Sequence, residues 1–166
     1  KDCLKVIDGE LISGIGDKVF RGVSIDSRTL KENELFICIH GDRFDGHDFI
    51  EEAKNKKASA IVLSNISKST SIKNDATSII HVSNTLKALQ ELARFHRGKI
   101  SVQVIGVTGT NGKSTTKEMI ASIAETKLKT IKTKGNLNNH IGLPLSLFRL
   151  SQSDEVAVIE MGMSAA

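Results

Sequence analysis

The 166-residue sequence has no tryptophan and no tyrosine, only two cysteines, and an excess of just four positive charges. It also lacks any run approaching the roughly 18 apolar residues needed to cross a bilayer, which excludes a transmembrane helix. Cys3 and Cys38 show no metal-type spacing and are too few for a disulfide framework, so both are expected as reduced thiols. The opening "KDCLKVIDGE" alternates charged and apolar residues where an export signal needs an unbroken apolar segment, and a cytoplasmic location is therefore expected. The basic residues are dispersed and no cluster interleaves them with aromatics, so they read as solvated surface and not as a polynucleotide-binding face. What remains is the composition of a globular protein, 39% apolar and 25% charged. Its length suits one ordinary domain, or a small domain and part of a second.

The patterning favours the second arrangement. "FRGVSID" (20–26), "ELFICIH" (34–40), "SAIVLS" (59–64) and "SIIHVS" (78–83) are short β-rich runs between polar stretches. "HDFIEEAKNKK" sets Phe49, Ile50 and Ala53 at helical spacing, so residues 1–83 read as a small α/β domain. From Thr85, "TLKALQELARFHRGK" puts Leu86, Leu89, Leu92, Ala93 and His96 on one helical face, with Asn84 or Thr85 as cap and Gly98 as stop. On that face His96 reads as a packed histidine. A strand over 102–107, a helix over 114–127 and a strand over 155–162 follow, and this alternation predicts a parallel sheet in a second domain, residues 84–166. So few strands do not complete such a sheet, and the second domain is expected to be incomplete.

The joint between the strand at 102–107 and its helix carries the chemistry. In "VIGVTGTNGKSTTKE" the glycines at 109 and 112 let backbone amides converge on an anion at a helix N-terminus, so that Thr108, Gly109, Thr110, Asn111, Gly112, Lys113, Ser114 and Thr115 form a candidate phosphate loop. Lys113 supplies a mobile charge for β- and γ-phosphates, and Ser114 a hydroxyl for Mg²⁺. The general expression G-x-x-x-x-G-K-[ST] is missed by one residue, since its first glycine falls on Val107. Glu160 ends the apolar strand "VAVIE", where a carboxylate is positioned to hold Mg²⁺ with Ser114. Lys113 and Glu160 are thus the candidate catalytic groups of a P-loop-type ATP site. A glycine-rich turn with a surface lysine, and a strand-end glutamate facing solvent, are the plain alternatives.

These residues resemble the ATP-dependent Mur ligases, which build the peptide of bacterial cell-wall precursors. "TGTNGKST" is similar to that family's own phosphate loop. "SIDSRTLKENELFICIHGDRFDGHDFIEEA" (24–53), "KGNLNNHIGLPLSLFRL" (134–150) and "VAVIEMGMS" (156–164) are similar to the member that joins D-alanyl-D-alanine to a UDP-N-acetylmuramoyl-tripeptide. The resemblance implies a UDP-binding domain over residues 1–83 and the first part of an ATPase domain from residue 84. It implies that the substrate carboxylate takes the γ-phosphate of ATP and that the dipeptide amine then attacks the acyl phosphate. It also implies a carbamylated lysine and a closing domain beyond residue 166, so the chain by itself is expected not to turn over. Partners would be these small molecules, with no nucleic acid and no membrane insertion; nothing points to an oligomeric state.

Within that frame Ser27 and Arg28, just after a strand, suit a diphosphate, although alone they read as a turn with a surface arginine. "HGDRFDGHDF" offers Arg43, Asp45, Gly46 and His47 to a uracil or ribose, or else Asp45 merely caps a helix. Metal binding by His40 and His47 lacks a supporting ligand pattern. Asn136, Asn138 and Asn139 of "GNLNN" can hold substrate through their amides, and can equally make a turn. The remaining readings are a sister ligase that adds the third residue of the same peptide, and a nucleotide-sugar-binding module that never catalyses.

Overall fold

Short apolar runs bounded by polar turns build the first sheet. In the computed structural model, which describes residues 2–41, 44–68 and 76–163, a short helix α1 (Asp2–Val6) leads into β1 (Glu10–Ser13), β2 (Val23–Ser24) and β3 (Leu35–Ile37). A 3₁₀ turn (Gly46–Phe49) and α2 (Ile50–Asn55) follow, then β4 (Ala60–Leu63), a second 3₁₀ turn (Ile66–Lys68) and β5 (Ser78–His81). The strand order is β1-β5-β4-β3-β2, with β2 to β5 parallel and β1 antiparallel on β5. The four runs expected to be strands all contain one. β1 and α1 were not foreseen, because β1 is held by pairing Glu10 with His81, a partner far along the chain.

β3 and β4 are buried at every position, as parallel strands covered on both faces are. Leu30, Phe36, Cys38, Ile50, Ala53, Ala58, Ile61, Leu63 and Ile79 form one core cluster, into which α2 turns Ile50 and Ala53. Cys38 is a free, buried thiol whose pKa is pushed up by burial and by the neighbouring Asp45. Cys3 is also free and half-buried.

The second sheet is parallel throughout, as expected. β6 (Gln103–Val107), β7 (Thr130–Lys132) and β8 (Val156–Glu160) lie in the order β6-β8-β7, with α4 (Lys113–Ala124) between β6 and β7 in sequence and α5 (Gly142–Leu147) between β7 and β8. β8 is buried at all five positions, which its "VAVIE" composition demands of a central strand. Ile100, Val102, Leu150, Ala157 and Ile159 pack together, and Val107, Ala121, Val156 and Val158 form a second cluster. β7 and α5 were not anticipated: the three-residue β7 and the six-residue α5 are too short to establish a period.

The chain divides into two compact units, Lys1–Leu92 and Ala93–Ala166. The division falls inside α3 (Thr85–Gly98), where Ala88, Leu89, Leu92 and Ala93 make one continuous buried stripe. Asn84 caps that helix, its Oδ1 accepting the Lys87 amide at 2.9 Å. His96 is half-buried, against the Phe148 ring and with Nε2 3.0 Å from the Leu150 carbonyl. No helix among the described residues is long and apolar enough to cross a membrane.

Candidate phosphate-binding site

β6 and β8 run side by side with Val107 in register with Glu160, so the turn that leaves β6 starts beside the carboxylate that ends β8. This is the carboxyl edge of a parallel sheet, where such folds bind ligands. Gly109 and Gly112 adopt φ of 141° and 76°, where side chains with a Cβ are rarely found, and this freedom lets the chain turn from strand to helix within five residues. Gly112 is the N-cap of α4. The first amides of α4 have no acceptor within the helix, and its dipole adds positive potential at the same end. Thr108, Thr110, Asn111, Ser114 and Thr115 are all exposed around this opening.

The Lys113 ammonium folds back on its own loop, donating to the carbonyls of Gly109 (2.6 Å) and Thr110 (3.3 Å). Behind it Glu160 is 2% exposed, and each of its oxygens is engaged. Oε2 accepts the Ser114 hydroxyl at 2.9 Å, and Oε1 accepts the Asn138 amide at 2.8 Å. The Glu160 backbone N–H donates to Thr133 Oγ1 at 3.0 Å. Burial alone would raise this carboxyl; the Asn138 amide, the Ser114 hydroxyl and the Lys117 ammonium outweigh it and hold it below its ordinary value. The charged carboxylate is therefore the stable form. With the Ser114 oxygen it presents a hard, all-oxygen donor pair of the kind that would suit Mg²⁺.

The three asparagines separate. Asn138 is held from both sides, its carbonyl accepting the Gly162 amide at 2.7 Å while its side chain holds Glu160. Asn139 starts α5, its Oδ1 accepting the amides of Ile141 (3.1 Å) and Gly142 (2.8 Å). Asn136 is exposed, and its carbonyl accepts the Asn138 amide.

Sequence reasoning missed Lys117. It is 3% exposed, with Nζ 3.2 Å from the Thr133 carbonyl and 3.6 Å from Glu160 Oε2. The signal was available: Lys117 stands four residues before Ala121, which is fully buried, on the stripe of α4 that faces the sheet.

In the first unit the candidate residues serve largely one another. The Ser27 hydroxyl is buried and donates to Glu52 Oε2 at 2.8 Å. Arg28 is exposed and clasps Asp26 with Nε and Nη2, at 2.9 and 2.7 Å. Asp45 Oδ1 accepts the His47 amide and, through a short contact, the His47 Nδ1–H; His47 Nε2 accepts the amides of Ser64 (3.0 Å) and Asn65 (3.3 Å). His47 is thus a 5%-exposed latch between the 3₁₀ turn and the end of β4. Gly46 is required there, since a Cβ would lie 2.7 Å from the Ile39 nitrogen and 2.8 Å from Cys38 Cα. Asp45 also takes Lys68 at 2.8 Å; burial opposes its ionisation, but Lys68 and the two His47 contacts hold it well below the usual carboxylate range. Arg43 lies outside the described residues.

A family model described as "Mur ligase family, catalytic domain" matches residues 19–97, and one described as "Mur ligase middle domain" matches residues 107–166. The UDP-N-acetylmuramoyl-tripeptide--D-alanyl-D-alanine ligase of Bacillus subtilis (strain 168) is 44% identical over 147 residues, 89% of this chain and 32% of that protein. The enzyme of the same name from Escherichia coli (strain K12) is 38% identical over 157 residues, 95% of this chain and 33% of that protein. Among solved structures, a crystal structure of MurF from Acinetobacter baumannii superimposes with a TM-score of 0.85 at 29% identity, covering 96% of this chain and 34% of that one. The MurF ligase of Thermotoga maritima in complex with ADP gives 0.76 at 36% identity, with 91% and 34% covered. The chain spans about a third of the length of the curated relatives it matches.

Proposed function

This chain belongs to the Mur ligase family, and on that premise we propose that it carries the nucleotide-sugar-binding and phosphate-loop parts of an ATP-dependent ligase joining D-alanyl-D-alanine to UDP-N-acetylmuramoyl-tripeptide. The observation that carries the reading is the convergence of a glycine loop, a helix N-terminus, Lys113, Ser114 and the charged Glu160 at the ends of two paired parallel strands. Such a constellation serves phosphoryl transfer, which depends on positioning and on neutralising the charge that spreads over the γ-oxygens.

Each residue's part follows from its present partners. Lys113 rests on two neutral carbonyls, and exchanging them for phosphate oxygens would set its ammonium against full negative charge. The Gly109–Ser114 backbone supports the phosphates, with Thr108, Thr110, Asn111 and Thr115 around the opening. Ser114 and Glu160 are the residues that would hold Mg²⁺, which when bound would supply positive charge against the phosphates. Asn138 keeps Glu160 turned toward Ser114. Asn136, exposed on the same segment, is the asparagine free to meet substrate, while Asn139 shapes the turn.

Residues 1–83 are read as the part that binds the UDP end, and residues from 84 as the ATP-binding part. Arg28 is the diphosphate contact, already oriented by Asp26. Ser27, Asp45, Gly46 and His47 act by fixing the turns they stand in, and Arg43 is kept as a contact on sequence grounds alone.

The test is phosphate release by the full-length gene product given Mg-ATP and UDP-N-acetylmuramoyl-tripeptide. Release that requires D-alanyl-D-alanine is expected. Release that instead requires a UDP-dipeptide and a single amino acid would move the protein to the preceding step.

A further inference from the structure

Glu160 is neutralised before any ligand arrives. Ser114 and Lys117 lie three residues apart on α4, hence on one face, and both reach Glu160 Oε2. A fully buried ammonium needs partners, and Lys117 has three: the Thr133 carbonyl at 3.2 Å, Glu118 Oε1 at 3.2 Å and Glu160 Oε2 at 3.6 Å. Glu118 is half-exposed and is itself held by Lys132 at 2.7 Å, and Lys132 also faces Glu125 at 3.5 Å. Among the described residues Glu160 is the carboxylate that reaches Lys117 from the sheet, while Glu118 reaches it from α4 itself, and the Lys117 charge offsets that of Glu160.

That cancellation bears on metal binding. A free divalent cation meets a hydroxyl and a carboxylate already matched by a resident cation. Among the described residues no group of three or more histidine, cysteine or carboxylate side chains could hold a metal ion. Mg²⁺ surrenders its water reluctantly and is commonly held by one or two carboxylates together with substrate phosphates. We propose that Lys117 is a positioning residue that makes divalent-cation binding conditional on nucleotide: it holds Glu160 beside Ser114 and removes the net charge that would attract a cation on its own. The inference rests on the reading of Ser114 and Glu160 as cation ligands.

The experiment is Mn²⁺ binding followed by electron paramagnetic resonance on the 166-residue chain without nucleotide. The unsubstituted chain is expected to bind free Mn²⁺ weakly, Lys117→Met tighter by roughly tenfold or more, and Lys117→Arg, which keeps the charge, as weakly as the original. Equal binding by the original and Lys117→Met, or a Lys117→Arg variant that behaves like Lys117→Met, would overturn the proposal. Should Lys117→Met not fold, the unsubstituted chain decides by NMR of its ¹⁵N-labelled lysine side chains. Mn²⁺ is expected to broaden the Lys117 ammonium signal only when ADP is present, and broadening at the same Mn²⁺ concentration without ADP would overturn the idea. Glu160→Gln separates this inference from its premise. If Mn-ADP binds that variant as it binds the original, Glu160 is no cation ligand; if Glu160→Gln weakens Mn-ADP while Lys117→Met gains nothing, only the role of Lys117 is lost.

Discussion

Two polar clusters sit at the carboxyl ends of parallel strands in this chain, and they spend their polar groups differently. In the first unit, His47 uses one ring nitrogen on Asp45 and the other on two backbone amides, while Asp45 caps the turn and holds Lys68. In the second, Lys113 rests on the carbonyls of an open glycine loop, and Ser114 at the loop's end is an exposed residue whose hydroxyl donates to Glu160. The first cluster is satisfied by its own fold, whereas the second can exchange neutral partners for charged ones. The difference teaches that density of polar residues is a poor guide to a ligand site; the guide is whether the present partners can be bettered.

The sharpest way to test this contrast is to remove one residue from each side. Lys113→Ala is expected to weaken ADP binding by roughly two orders of magnitude, since hydrogen bonds to charged groups are worth about 1.5–3 kcal/mol each, while leaving urea stability nearly unchanged. Calorimetry and a denaturation curve on the same variant check both halves. His47→Ala should do the reverse to its own unit. It strands the amides of Ser64 and Asn65 and takes the imidazole partner from Asp45, so a stability loss of about 3 kcal/mol is expected in urea unfolding.

The acid limb of stability offers a smaller effect. Asp45 is depressed in the folded state, so its contribution is fully present above the ordinary aspartate pKa near ~3.9 and is lost as pH falls below it. Stability measured between about pH 5 and pH 2 should fall less steeply in Asp45→Asn than in the original chain. Smallest of all is the stability effect of Arg28→Ala. Its clasp on Asp26 is 84% exposed on the arginine side, and urea stability is expected to be nearly unchanged. A larger loss would show that Arg28 belongs to the fold and not to a ligand.

How much of this was legible follows the same division. The turn from β6 to α4 and the place of Glu160 beside it could be read because the roles proposed for them ask for particular residue types at a fixed place relative to a strand end. The core strands could be read because burial on both faces forces unbroken apolar runs such as "AIVL". Lys117 was easier to miss: its spacing from Ala121 pointed to the buried stripe of α4, but a lysine in a helix ordinarily reads as solvated, and it is β8 that brings the carboxylate that makes its burial tolerable. His47 and Asp45 left two readings open in the sequence, since the same side chains suit a ligand or a latch. The amides of Ser64 and Asn65, supplied from the far end of β4, are what occupy His47. β1 was hidden for a similar reason, its register being set by β5 and not by its own four residues.

The most direct test of the central claim is calorimetric titration of the 166-residue chain with ADP at fixed Mg²⁺, repeated on Glu160→Gln with its fold checked by circular dichroism. The account predicts saturable binding by the original chain that weakens when Mg²⁺ is withdrawn, and a variant that binds weakly whether Mg²⁺ is present or not. Equal affinity and equal Mg²⁺ dependence in the two chains would contradict it.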